Sequence, residues 1–182
     1  AHYAEGTSFQ IGKIEMCSNT GTYLDAPFHR YEEGIDISEI PLEGVAAIEG
    51  VKILVDPGVT AIDESYFQQI DTHGKAVLIQ TSWSRHWNSE QYYEGHPFLT
   101  EKAAKTLQEQ GAALVGIDSY NIDDISKDTR PVHSTLLGSG ILIVEHLCNL
   151  EQAPEHGFKF YAVPVKVKGF GTFPVRAFVA ID

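Results

Sequence analysis

Apolar and polar positions divide the chain into a few readable stretches. "SFQIGKIEMCS" alternates from Ser8 to Ser18 and predicts a strand running into the loop that follows. "GVKILVD" is a continuous apolar run stopped by Asp56-Pro57-Gly58, a turn signal that predicts a buried strand and a sharp exit. "DESYFQQI" has an acidic start and apolar residues at helical spacing, which predicts a short helix beginning near Asp63. "KAVLIQTS" reads as another buried strand. "TEKAAKTLQEQG" is the clearest helix, with Thr100 as N-cap, Ala103, Ala104 and Leu107 as its inner face and Gly111 as its stop. "AALVGID" and "GILIVEHL" are continuous apolar strands, the pattern of a sheet covered on both faces. "FKFYAVPVKVKG" and "TFPVRAFVAI" alternate and carry Pro164 and Pro174, so they read as antiparallel or edge strands. Strands outnumber helices and no repeat or low-complexity tract interrupts them, which predicts a mixed α/β fold in one domain over residues 1–182.

Bulk composition narrows the function. A chain of 182 residues and 20.1 kDa, 43% hydrophobic, is long enough for one substantial core. Thirteen basic against 25 acidic residues give a net charge of −12, with the basic residues scattered, which argues against a nucleic-acid or anionic-membrane partner. The longest apolar runs, such as "GILIV", are far shorter than the roughly 20 residues of a membrane span. No basic segment followed by an apolar stretch opens the chain, although it starts at Ala1 and leaves room for a removed leader. Cys17 and Cys148 lie far apart without CxxC spacing, so a reducing cytoplasm is the expected compartment, and Cys17, within an alternating run, is expected to be a small buried residue.

Three groups of residues carry possible chemistry. In "NTGTYLDAPFHR", Asp25 and His29 flank Pro27, which argues against a regular helix and for a rigid loop. A fixed carboxylate beside a fixed imidazole suits acid/base work near neutral pH, and an Asp-capped turn with an ordinary surface histidine explains the spacing equally well. In "RPVHSTLLGSGILIVEHL", Glu145 ends an apolar strand twelve residues after His133. A carboxylate there is costly to bury unless ligated, paired or at the rim, which favours a functional Glu145, while His146 is expected to point the opposite way. The third group, Trp83, His86, Trp87, Tyr92, Tyr93, His96 and Phe98, suits the wall of an apolar substrate pocket, a lid, or a subunit contact. The acidic run "DSYNIDD" lacks the glycine and terminal glutamate of an EF-hand loop and reads as a solvated turn, with Asp118 able to order its neighbours. No GxxxxGK[ST], strand-linked GxGxxG, GxSxG or HExxH occurs.

"NTGTYLDAPFH" resembles the H-x-G-T-H-x-D-x-P-x-H signature of the cyclase or metal-dependent hydrolase family, which includes bacterial kynurenine formamidase and isatin hydrolase. His133, Glu145 and "LVGIDSYNID" extend the resemblance over roughly Phe9 to Val179. The resemblance implies a swivelling β/β/α fold, a homodimer or higher homo-oligomer, and a further segment ahead of the first strand. It implies metal ligands at Asn19, Tyr23, Asp25, His133 and Glu145, with His29 as acid/base. Asn19 and Tyr23 replace histidines. An amide oxygen ligates weakly and a phenol must first lose a proton from a pKa near 10, so zinc affinity is expected to be low. Three outcomes stay open. Asn19, Asp25, His133 and Glu145 form a harder set suited to Mn²⁺ or Mg²⁺ over Zn²⁺. Alternatively the site is metal-free, with Tyr23 donating a hydrogen bond to Asp25 or to a substrate oxyanion. In the third, the protein binds a small molecule without turning it over. The expected function is hydrolysis of an amide, formamide or small cyclic amide or ester, with water as nucleophile. His29, Asp25 and Tyr23 would be the catalytic groups, and Trp83, Trp87, His96 and Phe98 would contact the substrate.

Overall fold

The computed structural model describes residues 4–6 and 9–181. Ten strands form: β1 (Tyr23–Asp25), β2 (Ile48–Leu54), β3 (Ala61–Ile62), β4 (Ala76–Gln80), β5 (Phe98–Leu99), β6 (Leu114–Ile117), β7 (Leu142–Glu145), β8 (His156–Tyr161), β9 (Thr172–Pro174) and β10 (Phe178–Ile181). Two α-helices accompany them, α1 (Glu101–Glu109) and α2 (Pro131–Gly138). Eight strands build one sheet in the order β10-β8-β2-β4-β6-β7-β1-β9, and β3 pairs with β5 separately. The β2-β4-β6-β7 centre is parallel, while β8, β10, β1 and β9 join antiparallel at its flanks.

The continuous apolar runs follow from burial on both sheet faces. Val77 and Ile79 of β4, Val115 and Ile117 of β6 and Ile143 of β7 pack on the face covered by α1 and α2. The intervening Ala76, Leu78, Leu114, Leu142 and Val144 pack on the other face with Ile37, Ile40, Phe158 and Phe160. A side-chain period of two therefore feeds two cores, and no polar alternation is needed. The helix read from the sequence forms where expected: Thr100 Oγ1 accepts from Ala103 N at 3.2 Å, and Gly111 follows the last turn at φ 74°.

Several expectations are corrected. Phe9–Cys17 forms no strand and is exposed throughout, because alternation needs a partner strand and none is present among the described residues; Ser8 lies outside them. Cys17 is accordingly exposed rather than buried. The helix near Asp63 is a single 3₁₀ turn, Glu64–Tyr66, with Asp63 capping Ser65 N at 2.9 Å. "FKFYAVPVKVKG" keeps ladder pairing only to Tyr161, and "TFPVRAFVAI" splits into β9 and β10, with Pro174 on an edge strand as its missing N–H requires. Neither β1 nor α2 was expected as a regular element, and these two elements position the site.

Candidate active site

Strand register brings the polar groups together. In β1, Leu24 enters the core opposite the helices, so its neighbours Tyr23 and Asp25 face the α2 side. β1 and β7 are antiparallel, with Tyr23 opposite Glu145 and Asp25 opposite Ile143. Tyr23 and Glu145 are thus cross-strand neighbours, and the Tyr23 hydroxyl donates to Glu145 Oε2 at 2.5 Å. Glu145 Oε1 accepts from Ile122 N at 2.6 Å. Both carboxylates are almost wholly buried, Asp25 at 0% exposure and Glu145 at 1%.

After β1 the chain turns at once. Ala26 is extended, Pro27 starts a 3₁₀ turn, and His29 ends it with its N–H on Ala26 O at 2.8 Å. Gly171 holds that turn against β9: its carbonyl accepts from Ala26 N at 2.7 Å, and a Cβ at Gly171 would lie 2.4 Å from the His29 backbone. The next residue, Thr172, bridges the two groups read from the sequence. Its hydroxyl donates to Asp25 Oδ1 and lies 2.8 Å from His29 Nδ1. A hydroxyl has one proton to give, so His29 donates through Nδ1–H and keeps Nε2 free to accept a proton.

His133 enters from α2. Asp123 caps the helix, accepting from Val132 N at 2.8 Å and His133 N at 3.0 Å, and the same carboxylate takes the His133 Nδ1 proton at 2.7 Å. That contact turns Nε2 toward Asp25 Oδ2 at 3.7 Å and Glu145 Oε1 at 3.8 Å. Burial opposes protonation of His133, but the hydrogen bond to Asp123 and the nearby Asp25 and Glu145 carboxylates outweigh it and raise its pKa to about 10. Burial pushes Glu145 up as well. It also pushes Tyr23, beside Glu145 and Asp25, far above the usual phenol range, so Tyr23 stays a donor and is a poor metal ligand.

Asp25 Oδ2 has no hydrogen-bond partner although it is buried; among the described residues Gln80 Oε1 alone shares that condition. An orphaned carboxylate oxygen is costly unless something charged or a donor meets it. Asp25, His29 and His133 each offer a ligand atom within 4.8 Å of the others, a set able to hold a metal ion. His29 and His133 open onto a cavity of about 160 Å³ with Tyr23 and Glu145 in its wall and Asn19, Arg30, Asn121 and Arg130 around it, while Asp25 lies buried behind them.

The aromatic group is placed otherwise. Trp83 donates Nε1–H to Tyr92 O at 3.0 Å and lines a different cavity with Asp56 and Arg85. His96 is buried with Nδ1 on Pro97 O at 3.1 Å, and Phe98 sits in β5 against β3. Trp87 reaches the site only through contacts: its ring packs 6.0 Å from His146, which lies 5.1 Å from Tyr23. His146 has left the strand at φ 57°, and Nδ1 meets the Tyr92 hydroxyl at 2.8 Å. The acidic run is not the solvated turn expected. Asp118 is buried and accepts from Thr81 N, Thr81 Oγ1 and Ser82 N at 2.7, 2.6 and 2.9 Å, and Asp123 is buried under α2. Thr172, Asp123, Asn121, Arg30 and Arg130 were not read from the sequence as site residues.

A mixed α/β sheet with a buried Asp–His–Glu cluster at the β1/β7 junction defines a hydrolase-like class of site. The chain belongs to the family described as "Putative cyclase", which matches residues 2–124. It is 33% identical to the kynurenine formamidase of Geobacillus thermodenitrificans over 176 residues, 96% of this chain and 81% of that protein. It is 29% identical to the kynurenine formamidase of Bacillus cytotoxicus over 94% of this chain and 80% of that protein. A solved structure described as a potential metal-dependent hydrolase with cyclase activity superposes with a TM-score of 0.81 at 28% identity, covering 92% of this chain and 81% of that one. Isatin hydrolase A from Labrenzia aggregata shares the fold, with a TM-score of 0.81 at 23% identity over 93% of this chain and 75% of that one.

Proposed function

We propose that the protein hydrolyses the C–N bond of a formamide or a small cyclic amide, with water as nucleophile. Its similarity to kynurenine formamidases supports the reaction class. The observation that carries the chemistry is the Asp25–Thr172–His29 chain beside the unpartnered Asp25 Oδ2. His29, with Nδ1 engaged by Thr172, takes a proton from water at Nε2 and returns it to the departing nitrogen. His133, held by Asp123, orients toward the Asp25–Glu145 pair, and the Tyr23 hydroxyl keeps Glu145 in place.

Asp25, His133 and Glu145 would hold a divalent ion, which would take the place of the His133 Nε2 proton, and the orphaned Asp25 oxygen fits one. His29 clusters with Asp25 and His133 closely enough to ligate, but its link to Thr172 and its more open position support the proton-transfer role. Such an ion, when bound, would supply Lewis-acid polarisation of the substrate carbonyl. We assign Mn²⁺ or Mg²⁺ ahead of Zn²⁺, because Asn19 ligates weakly and Tyr23 is held protonated. A homodimer or higher homo-oligomer belongs to the same reading, supported by the exposed Ile11, Ile14 and Met16, and a cytoplasmic location goes with the absence of CxxC spacing between Cys17 and Cys148.

The test is turnover of N-formylarylamines by protein supplied with Mn²⁺, alongside metal analysis of protein purified without chelator. Formate release that is lost in His29→Ala is the expected result. Stoichiometric zinc would overturn the metal assignment. Absence of turnover on every formamide and cyclic imide offered, with ligand-induced thermal stabilisation retained, would leave a binding protein instead.

A further inference from the structure

We infer that the substrate carries an anionic group, a carboxylate or a phosphate, which Arg30 and Arg130 receive at the mouth of the cavity while the amide lies against Asp25, His29 and His133. This rests on the hydrolase reading above. The chain has four arginines, Arg30, Arg85, Arg130 and Arg176, within a net charge of −12, and two of them line this one small cavity. Among the described residues neither Arg30 nor Arg130 forms an ion pair with a carboxylate, although acidic side chains outnumber basic ones nearly two to one. Unpaired guanidinium groups in so acidic a protein leave charge at that position for something that is not part of the chain.

The two side chains are also fixed. Arg30 Nε donates to Ser134 Oγ at 3.0 Å, and the same hydroxyl donates to Arg130 O at 2.8 Å, so one serine ties the two residues together. Arg130 Nη1 donates to Lys127 O and Thr129 O at 2.5 and 2.9 Å. Arg30 thus uses Nε alone and Arg130 Nη1 alone, and the remaining N–H groups of each planar fork are unassigned. A fork with one edge anchored and the other open matches a carboxylate or phosphate with little ordering cost.

The amides around the cavity point to the same ligand. Asn19 Oδ1 already accepts from Ser18 Oγ at 3.2 Å, and Asn121 Oδ1 accepts from Asp123 N at 2.9 Å. Each amide oxygen is already engaged within the chain and each amide carries N–H groups besides, one of those of Asn19 reaching Tyr23, so the rim formed by Asn19, Arg30, Asn121 and Arg130 is rich in donors. The acceptors Asp25 and Glu145 lie buried in the interior, whereas Arg30 is exposed and Arg130 half-buried. A donor rim above a carboxylate floor places an anion outside and the reacting carbonyl inside.

The experiment compares 3-formamidobenzoate, 3-formamidophenylphosphonate and neutral 3-formamidobenzamide as substrates, with 3-aminobenzoate and 3-aminobenzamide as binding probes read by thermal shift. One anionic probe should exceed the neutral one by about tenfold or more in kcat/KM, the scale of a charge-assisted hydrogen bond. The carboxylate-to-phosphonate ratio identifies the anion. Arg30→Gln and Arg130→Gln should each collapse the anionic-to-neutral ratio, and Arg130→Lys should recover part of it. Equal kcat/KM for the three, or a ratio that neither glutamine variant lowers, overturns the inference and leaves the hydrolase reading standing. Turnover of none, with arginine-dependent preference for aminobenzoate in the thermal shift, overturns the hydrolase reading and supports anion recognition. Turnover of none with equal shifts overturns both.

Discussion

Thr172 shows what a single hydroxyl does for two charged partners. It supplies the hydrogen bond that the Asp25 carboxylate receives at Oδ1 and the contact that fixes the His29 ring tautomer. Thr172→Val keeps the shape and removes both contacts. The expected outcome is a kcat loss of about 10²-fold, in the range of positioned acid/base catalysis, with a stability cost of about 1–3 kcal/mol from the orphaned acceptor. Pre-steady-state rates and thermal melts together check it, since a purely structural role would move the melt and spare the rate. Asp25, His29 and Glu145 were legible because a carboxylate or imidazole beside a proline or at the end of an apolar run is locally out of place, and His133 through the family resemblance. Thr172 was not legible, because a threonine in a strand is ordinary and its importance comes from a residue 147 positions away. Asp123 was hidden in the same way, its neighbours suggesting a wet turn until α2 closes over it.

At the level of elements, the central strands β2, β4, β6 and β7 were readable because burial on both faces writes itself as an unbroken apolar run. β1 escaped detection because three residues carry no period; it is a strand only because β7 and β9 pair with it on either side. α2 escaped because its Val132, His133, Leu136 and Leu137 are buried on more than one side, which blurs the helical alternation that made α1 plain. The Phe9–Cys17 arm failed in the opposite sense, its pattern present and its partner missing. The turn at His29 and the start of β9 depend on an absence of side chain at Gly171. Gly171→Ala drives a methyl into the His29 backbone, where nothing flexible can yield. We expect a melting-temperature drop corresponding to about 1–3 kcal/mol together with loss of most activity, measured on the same preparation.

Across the whole molecule, a buried carboxylate helps tie down the loop that leads into β9. Asp36 accepts from Gly169 N at 2.6 Å and from Ser38 N and Oγ at 2.7 Å each, and these contacts, Gly169 first, hold its pKa below the ordinary value of 3.8. A depressed carboxyl stabilises the fold fully above its unfolded value and ceases to do so as pH falls through the lower folded one. Melting temperature should therefore fall on acidification below about pH 4, and Asp36→Asn, lower at neutral pH, should lose less there; equal acid slopes in the two proteins would exclude this role. That Thr172 of β9 joins two groups carried by β1 and the turn after it has a further result for a chain made in order on the ribosome. Asp25 and His29 emerge early and wait, and the hydroxyl that joins them arrives only after the parallel centre of the sheet has been synthesised. Under the proposed mechanism a nascent chain lacks its joined Asp25–His29 pair through most of its translation and completes it in one late step.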